Sequence, residues 1–353
     1  MKFYSIIDLP IKIYGLAVKD AAQRKFYKLP EEMLEKMPRY DYLGRRACGG
    51  RVRFATDAKS MVIRMTLAGT KEDINIPLSG SAGADVYLGV GKGSKFIGYI
   101  APKEHVTEEV MVEKEFSLVE EESLVQPEGD DLKQGKTTLT IVTINLPRND
   151  HLLAMEIGIE EGAIIEEAPE YTIDKPIVFY GSSITEGGCA SRAGNAYTSI
   201  VCRWLDADYY NYGFSGSAKG ESVFAEYIAG LENISALVYD YDHNAPTPEH
   251  LEETHEAFFK IIRKAKPELP VLMLSRPDLK DGIEDAAKRV EIIRKTYQNA
   301  VDSGDKNVWF LDGRTFFGEE GREECTVDGT HPNALGFMRM AEKIYPVLKE
   351  ILL

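Results

Sequence analysis

From Arg51 the chain alternates apolar and polar positions with a period of two, Val52 and Phe54 interleaving with Arg51 and Arg53. Successive side chains of an extended strand point to opposite faces, so this texture predicts half-buried strands. Strand-like runs recur at 61–67, 74–77, 85–90, 96–101, 112–118, 137–146 and 152–159, most of them parted by Gly, Asn, Asp or Pro. Many short strands with turn signals between them predict an antiparallel, jelly-roll-like β-sandwich over residues 1–165. Within it, 30–37 predicts a short helix with Pro30 at its first turn. The acidic stretch 120–135, with Pro127-Glu128-Gly129-Asp130-Asp131, predicts an exposed hairpin loop.

The pattern changes once, across a Glu-, Gly- and Pro-bearing linker at 160–176. Beyond it, near-continuous apolar runs at 177–180, 209–212, 236–240, 271–275 and 308–312 alternate with helical periods. Leu251, His255, Phe258, Phe259, Ile262 and Ala265 share one helical face, as do Met338, Ala341, Ile344, Leu348 and Ile351; 283–301 predicts a further helix. Strands that are apolar throughout are buried on both faces. Residues 172–353 therefore predict a flavodoxin-like α/β domain, a parallel sheet with helices on both sides.

The first of these strands runs into Gly181-Ser182-Ser183-Ile184-Thr185-Glu186-Gly187-Gly188. In a doubly wound domain, ligands sit at the carboxyl ends of the strands, so a serine on this turn stands at the mouth of a crevice. Ser183 is a candidate nucleophile. The turn lacks both the Gly-x-x-x-x-Gly-Lys-Ser/Thr phosphate loop and the GxGxxG fingerprint, which argues against nucleotide binding. A formal net charge of -15 disfavours nucleic acid and anionic membranes as partners. No apolar run approaches the ~20 residues that span a bilayer. The amino terminus carries Asp8 and Pro10 where a signal peptide needs an apolar block, which predicts a cytoplasmic protein. Cys48, Cys189, Cys202 and Cys325 lack zinc-ligand spacing and read as reduced thiols, although Cys189 is close enough to Ser183 to line the crevice.

A serine nucleophile needs a base, and the base needs an orienting group. Of six histidines, His255 lies on an apolar stripe as a core residue would, and His250 stands at a helix start. His331 differs: in Asp328-Gly329-Thr330-His331-Pro332-Asn333 a Gly turn lets the carboxylate fold back on the imidazole. The same loop also reads as a plain helix entry with Asp and Asn as caps. Gly216, in Asn211-Tyr212-Gly213-Phe214-Ser215-Gly216, and Asn244, in Asp242-His243-Asn244, follow successive strands and offer N–H donors for an oxyanion.

This ordered set resembles the SGNH (GDSL-type) hydrolase family over residues 172–353. By that resemblance Ser183 is the nucleophile, Gly216 and Asn244 are oxyanion donors with the Ser183 N–H, and Asp328 and His331 complete a triad. Ser182 stands where the family often has Asp, and the third block reads Asp-His-Asn-Ala. Gly83-Ala84-Asp85-Val86-Tyr87 is similar to the GxDLY motif of a β domain that precedes one SGNH subgroup, and 188–194 is similar to that subgroup's continuation of the first block. The resemblance implies a serine esterase needing neither metal nor organic cofactor. Carbohydrate acetyl esterases are close analogues, so an acetylated oligosaccharide is the expected substrate, with Arg192 a candidate substrate contact. The alternatives are a longer-chain esterase, lipase or thioesterase, and a non-catalytic carbohydrate-binding protein. A metal site at Asp240, Asp242 and His243 is a further rival.

Overall fold

The computed structural model describes residues 1–119, 139–277 and 283–353. The hairpin loop expected at 120–135 lies outside them.

The alternating pattern after Arg51 folds as anticipated. Ser60–Leu67 buries every second residue, with Met61, Ile63, Met65 and Leu67 inside. It lies between Leu152–Ile159 and Val110–Ser117 in an antiparallel sheet edged by Lys2–Ser5. A second antiparallel sheet runs Ile165–Glu166, Arg51–Thr56, Thr140–Asn145, Ala84–Leu88, Lys95–Ile100. Val52, Phe54, Val86 and Ile144 of this sheet share one apolar core with Met61, Ile63 and Met155 of the first. The two sheets thus form a sandwich.

The helix expected at 30–37 is present as Glu31–Lys36, with Pro30 as its N-cap. Residues 74–77 are not a strand. Asp73 accepts the Asn75 N–H through its side chain and the Ile76 N–H through its carbonyl, and a short helix, Leu78–Ser81, follows Pro77. The alternation of Ile74 and Ile76 imitates a strand, but an Asp that hydrogen-bonds its own following backbone makes a turn instead.

The second half is a five-stranded parallel sheet: β1 (Ile173–Gly181), β2 (Ala207–Gly213), β3 (Ala236–Asp240), β4 (Val271–Leu274) and β5 (Val308–Leu311). Its order is β2-β1-β3-β4-β5, the flavodoxin-like arrangement. Alternate residues of β1 feed two cores. Ile177 and Phe179 pack with α2 (Tyr197–Leu205) and α6 (Ala334–Leu352), following α1 (Ser183–Glu186). Val178 and Tyr180 pack with α3 (Ser222–Gly230), α4 (Pro248–Ala265) and α5 (Ile283–Asp302). The periodicity indicated α4, α5 and α6. It did not reveal α2 or α3, each only nine residues long and so less than three turns of pattern.

The two halves are joined by more than a linker. Leu29, Met33, Tyr40 and Leu43 pack in the core of the second half, where Tyr40 stacks on Phe214 at 4.1 Å. Asp85 of the Gly83–Tyr87 motif is buried, taking the Gly194 N–H at 3.0 Å and the Asn145 amide at 2.8 Å. Arg148, also buried, donates to Gly80 O and to Gly188 O, so it fastens the sandwich to the loop behind Ser183.

Candidate active site

At the carboxyl edge of the parallel sheet, Ser183 opens α1 directly after β1. Ser182 caps that turn, its Oγ accepting the Ile184 N–H at 3.1 Å, the task an Asp would perform at the same place. Gly213 lets the turn sit close: a Cβ there would stand 2.1 Å from the Glu186 nitrogen. As the first helical residue, Ser183 has no intrahelical acceptor for its own N–H. β1 lies between β2 and β3, so Ser183 stands at the topological switch point, where open α/β sheets bind ligands.

The loop before α6 delivers the imidazole. Asn333 caps α6 by accepting from Leu335 N and Gly336 N. Val327 N donates to His331 O, and Gly329, at φ +88°, makes the reversal between them. The Asp328 Oδ1 accepts the N–H groups of Thr330 (2.9 Å) and His331 (2.8 Å), which leaves Oδ2 facing the His331 Nδ1 at 2.8 Å. The other ring nitrogen, Nε2, is 2.9 Å from the Ser183 Oγ. Partial burial pushes the Asp328 carboxyl up, but donation from the His331 and Thr330 backbone and from the His331 ring outweighs it, bringing the group down to about 2. Asp328 is therefore an anion at neutral pH, able to stabilise an imidazolium.

Ser183 and His331 line an open crevice of about 550 Å³ with Gly216, Asn244 and Cys189. Gly216 has φ +67°, a left-handed conformation that costs glycine nothing. Asn244 donates one amide hydrogen to Phe214 O at 2.9 Å, which fixes the amide and leaves its second hydrogen for a guest. Burial raises the Cys189 thiol to about 11, so it is a neutral thiol beside the serine, not a competing thiolate.

The oxyanion loop is anchored from below. Glu186, fully buried, takes Ser215 N at 3.2 Å and the Ser215 hydroxyl through Oε2, while Oε1 faces Lys28 (3.2 Å) and Arg46 (3.0 Å). Lys28 also donates to Gly213 O at 2.5 Å. Burial opposes ionisation of Glu186, but the two cations and Ser215 overcome it and hold the group at about 2. Replacing Lys28 with Met leaves part of a buried charge uncompensated. That change is expected to cost about 3–5 kcal/mol in urea unfolding, and a loss below about 1 kcal/mol would contradict the clamp. Because Glu186 is depressed from an ordinary 4.5, its contribution is complete above that pH and is lost as pH falls toward 2.

Other expected residues sit differently. Arg192 does not line the crevice. Its guanidinium stacks on Phe96 at 3.5 Å and donates to Asn195, because the 3₁₀ turn Ala193–Asn195 carries it to the seam with the sandwich. Asp240 is buried, pushed up to about 7 by burial, and accepts the hydroxyls of Thr185 and Tyr197. Asp242 takes the Arg276 N–H and has Arg289 at 3.7 Å. Their carboxylates thus serve protein donors, and among the described residues no three such ligands converge on a metal position. His243 lines the crevice as a neutral imidazole, held well below the usual histidine value by burial, with Arg276, His331 and Arg289 near it. His255 is the core residue expected, bonded to Thr296 and stacked on Tyr239.

Sequence reasoning missed three lining residues, Asp73, Asn75 and Ile76, all from the sandwich. The signal available was the Asp–x–Asn turn ahead of Pro77, obscured by the two isoleucines.

In comparison with known proteins, residues 174–349 match the GDSL-like Lipase/Acylhydrolase family. Residues 1–165 match the GxDLY family, described as the N-terminus of Esterase_SGNH_hydro-type. No curated protein sequence matches. Among solved structures, a protein described as a GDSL-like lipase from Bacteroides ovatus is 25% identical with a TM-score of 0.81, over 99% of this chain and 98% of that one. A salicylyl-acyltransferase from a tetracycline biosynthetic pathway is 20% identical at TM-score 0.73, over 99% and 97% of the chains. An acetyl xylan esterase from Butyrivibrio proteoclasticus is 15% identical at TM-score 0.58, over 99% and 98%. The last two are likenesses of fold.

Proposed function

The chain belongs to the GDSL-like lipase/acylhydrolase family, with a GxDLY-type N-terminal domain, and is an esterase acting on carboxylic esters; from that premise we propose that it removes short acyl groups, acetyl above all, from carbohydrate hydroxyls. The observation that carries the reading is the unbroken line Ser183 Oγ, His331 Nε2, His331 Nδ1, Asp328 Oδ2, with steps of 2.9 and 2.8 Å across the two hydrogen bonds. His331 takes the Ser183 proton as Oγ attacks the ester carbonyl, and Asp328 steadies the imidazolium. The Ser183 and Gly216 N–H groups and the Asn244 amide receive the oxyanion. His331 returns the proton to the departing alcohol. It then draws one from water, which releases the acid from the acyl-enzyme.

The carbohydrate part rests on the lining. Asp73, Asn75, Ser215, His243, Asn244 and Thr330 give the crevice a wall of donors and acceptors, interrupted by the apolar Ile76 and by Cys189. Such a wall suits an uncharged, hydroxyl-bearing alcohol and offers little to a long acyl chain, which wants a continuous apolar channel. The test is kcat/KM across 4-nitrophenyl acetate, butyrate and octanoate, followed by acetate release from acetylated oligosaccharides. Acetate is expected to exceed octanoate by at least about tenfold, the scale of discrimination one or two methylenes supply. Rates rising with chain length would favour the lipase reading instead.

A further inference from the structure

We propose that Asn75 is a positioning residue of this site: its side-chain amide, delivered by the β-sandwich, holds the Asp328 carboxylate in the orientation that receives the His331 Nδ1 proton. The inference rests on the proposed roles of Ser183, His331 and Asp328. Asn75 Nδ2 donates to Asp328 Oδ2 at 3.3 Å, across 253 residues of sequence. That is the same oxygen that faces His331 Nδ1, while Oδ1 is occupied by the two backbone N–H groups. The carboxylate is thus held at both oxygens, and the contact at Oδ2 comes from the other half of the molecule.

Asn75 is itself held firmly. Its N–H is tied to the Asp73 carboxylate at 3.0 Å, and Ile76 beside it is buried. The helix that follows is fixed to the far side of the nucleophile loop. Ser79 Oγ donates to Ser191 O, and Gly80 lies so close to Ala190 that a Cβ would stand 2.2 Å from its carbonyl oxygen. Arg148 then bridges Gly80 O and Gly188 O. One segment of the sandwich therefore touches the loop behind the serine and the acid that orients the base.

A donor on Oδ2 has two effects. It restricts rotation of the carboxylate, and it shares the negative charge that the imidazolium would otherwise have to itself. Removing it makes Asp328 a looser but stronger partner of His331. The chemical step should slow while the imidazole gives up its proton at higher pH. The other groups around the pair are Asp73, Cys189 and His243, with Arg148, Arg276 and Arg289 beyond them. Burial holds the Cys189 thiol high and the His243 imidazole low, so neither changes charge near neutral pH.

The test is the pH profile of kcat/KM for 4-nitrophenyl acetate in the full chain and its Asn75→Ala and Asn75→Asp variants. Asn75→Ala is expected to lower kcat about tenfold, the lower end for a hydrogen bond to a charged group, with KM within about twofold. Asn75→Asp replaces the donor with a second carboxylate. It should cost more, and should move the acid limb upward by about one pH unit. If Asn75→Ala fails to fold by circular dichroism, Asn75→Ser carries the test in its place, with an intermediate loss expected because a hydroxyl keeps one donor. Variants that titrate like the parent with unchanged kcat, or in which KM alone rises, would overturn the proposal. A parent inactive on every ester would remove the reading beneath it. An active parent with indifferent Asn75 variants would overturn this inference alone.

Discussion

Ser183→Ala is expected to reduce kcat for 4-nitrophenyl acetate by about 10⁵–10⁶-fold while leaving the fold and KM close to those of the parent. The size follows from what the Oγ does: it is the atom that forms the covalent bond, and its hydrogen bond to His331 Nε2 is what makes it nucleophilic. Structural cost should be small. Ser183 is partly exposed, Ala is the better helix former, and the capping of α1 is done by Ser182. A residual rate above the uncatalysed reaction is expected, because the Gly216 and Asn244 donors remain. Unfolding by urea and kcat should therefore separate cleanly. A variant that keeps more than about one per cent of the parental rate would contradict the assignment.

Asp328→Asn should cost about 10⁴-fold in kcat, a loss that arises from a tautomer and not from lost structure. The backbone N–H groups of Thr330 and His331 point at Oδ1, so they select the orientation of any amide placed there. They would take the Asn carbonyl oxygen, turning its NH₂ group toward His331 Nδ1. Two donors cannot face each other, so Nδ1 must become the acceptor and the ring proton must move to Nε2. That nitrogen faces Ser183, and once protonated it has no lone pair to receive the serine proton. The Asn75 amide would meet the same NH₂ group, which adds to the strain. Loss of only a few-fold would mean that Asp328 merely shapes the loop.

How much of this was legible beforehand depends on sequence distance. Asp328 and His331 are three residues apart and make most of their geometry locally, so a short Asp-Gly-Thr-His stretch was enough to propose them. Ser183, Gly216 and Asn244 each follow a strand whose apolar run was plain, and the parallel order of those strands brings their ends to one rim. Asn75 reaches Asp328 across 253 residues, and Lys28 reaches Glu186 across 158. Nothing in either local pattern records such a meeting. Residues 74–77 were misread because two isoleucines spaced by two mimic a strand when the Asx turn is overlooked. Arg192 was offered as a substrate contact on the resemblance, whereas it opens the turn at Ala193–Asn195 and lays its guanidinium on Phe96 of the sandwich. The cores of both halves were foreseen in outline, but the packing of Leu29, Met33 and Tyr40 against the second half was not, since those residues lie between strands of the sandwich in sequence.

The central claim is that Ser183 is the atom donor for a covalent intermediate. Its most direct test is to treat the full chain with a fluorophosphonate, weigh the intact protein, and map the modified peptide. A single adduct on Ser183, formed in step with loss of esterase activity and absent from Ser183→Ala, is the predicted result. An adduct on another residue, or hydrolysis that continues in fully labelled protein, would contradict it.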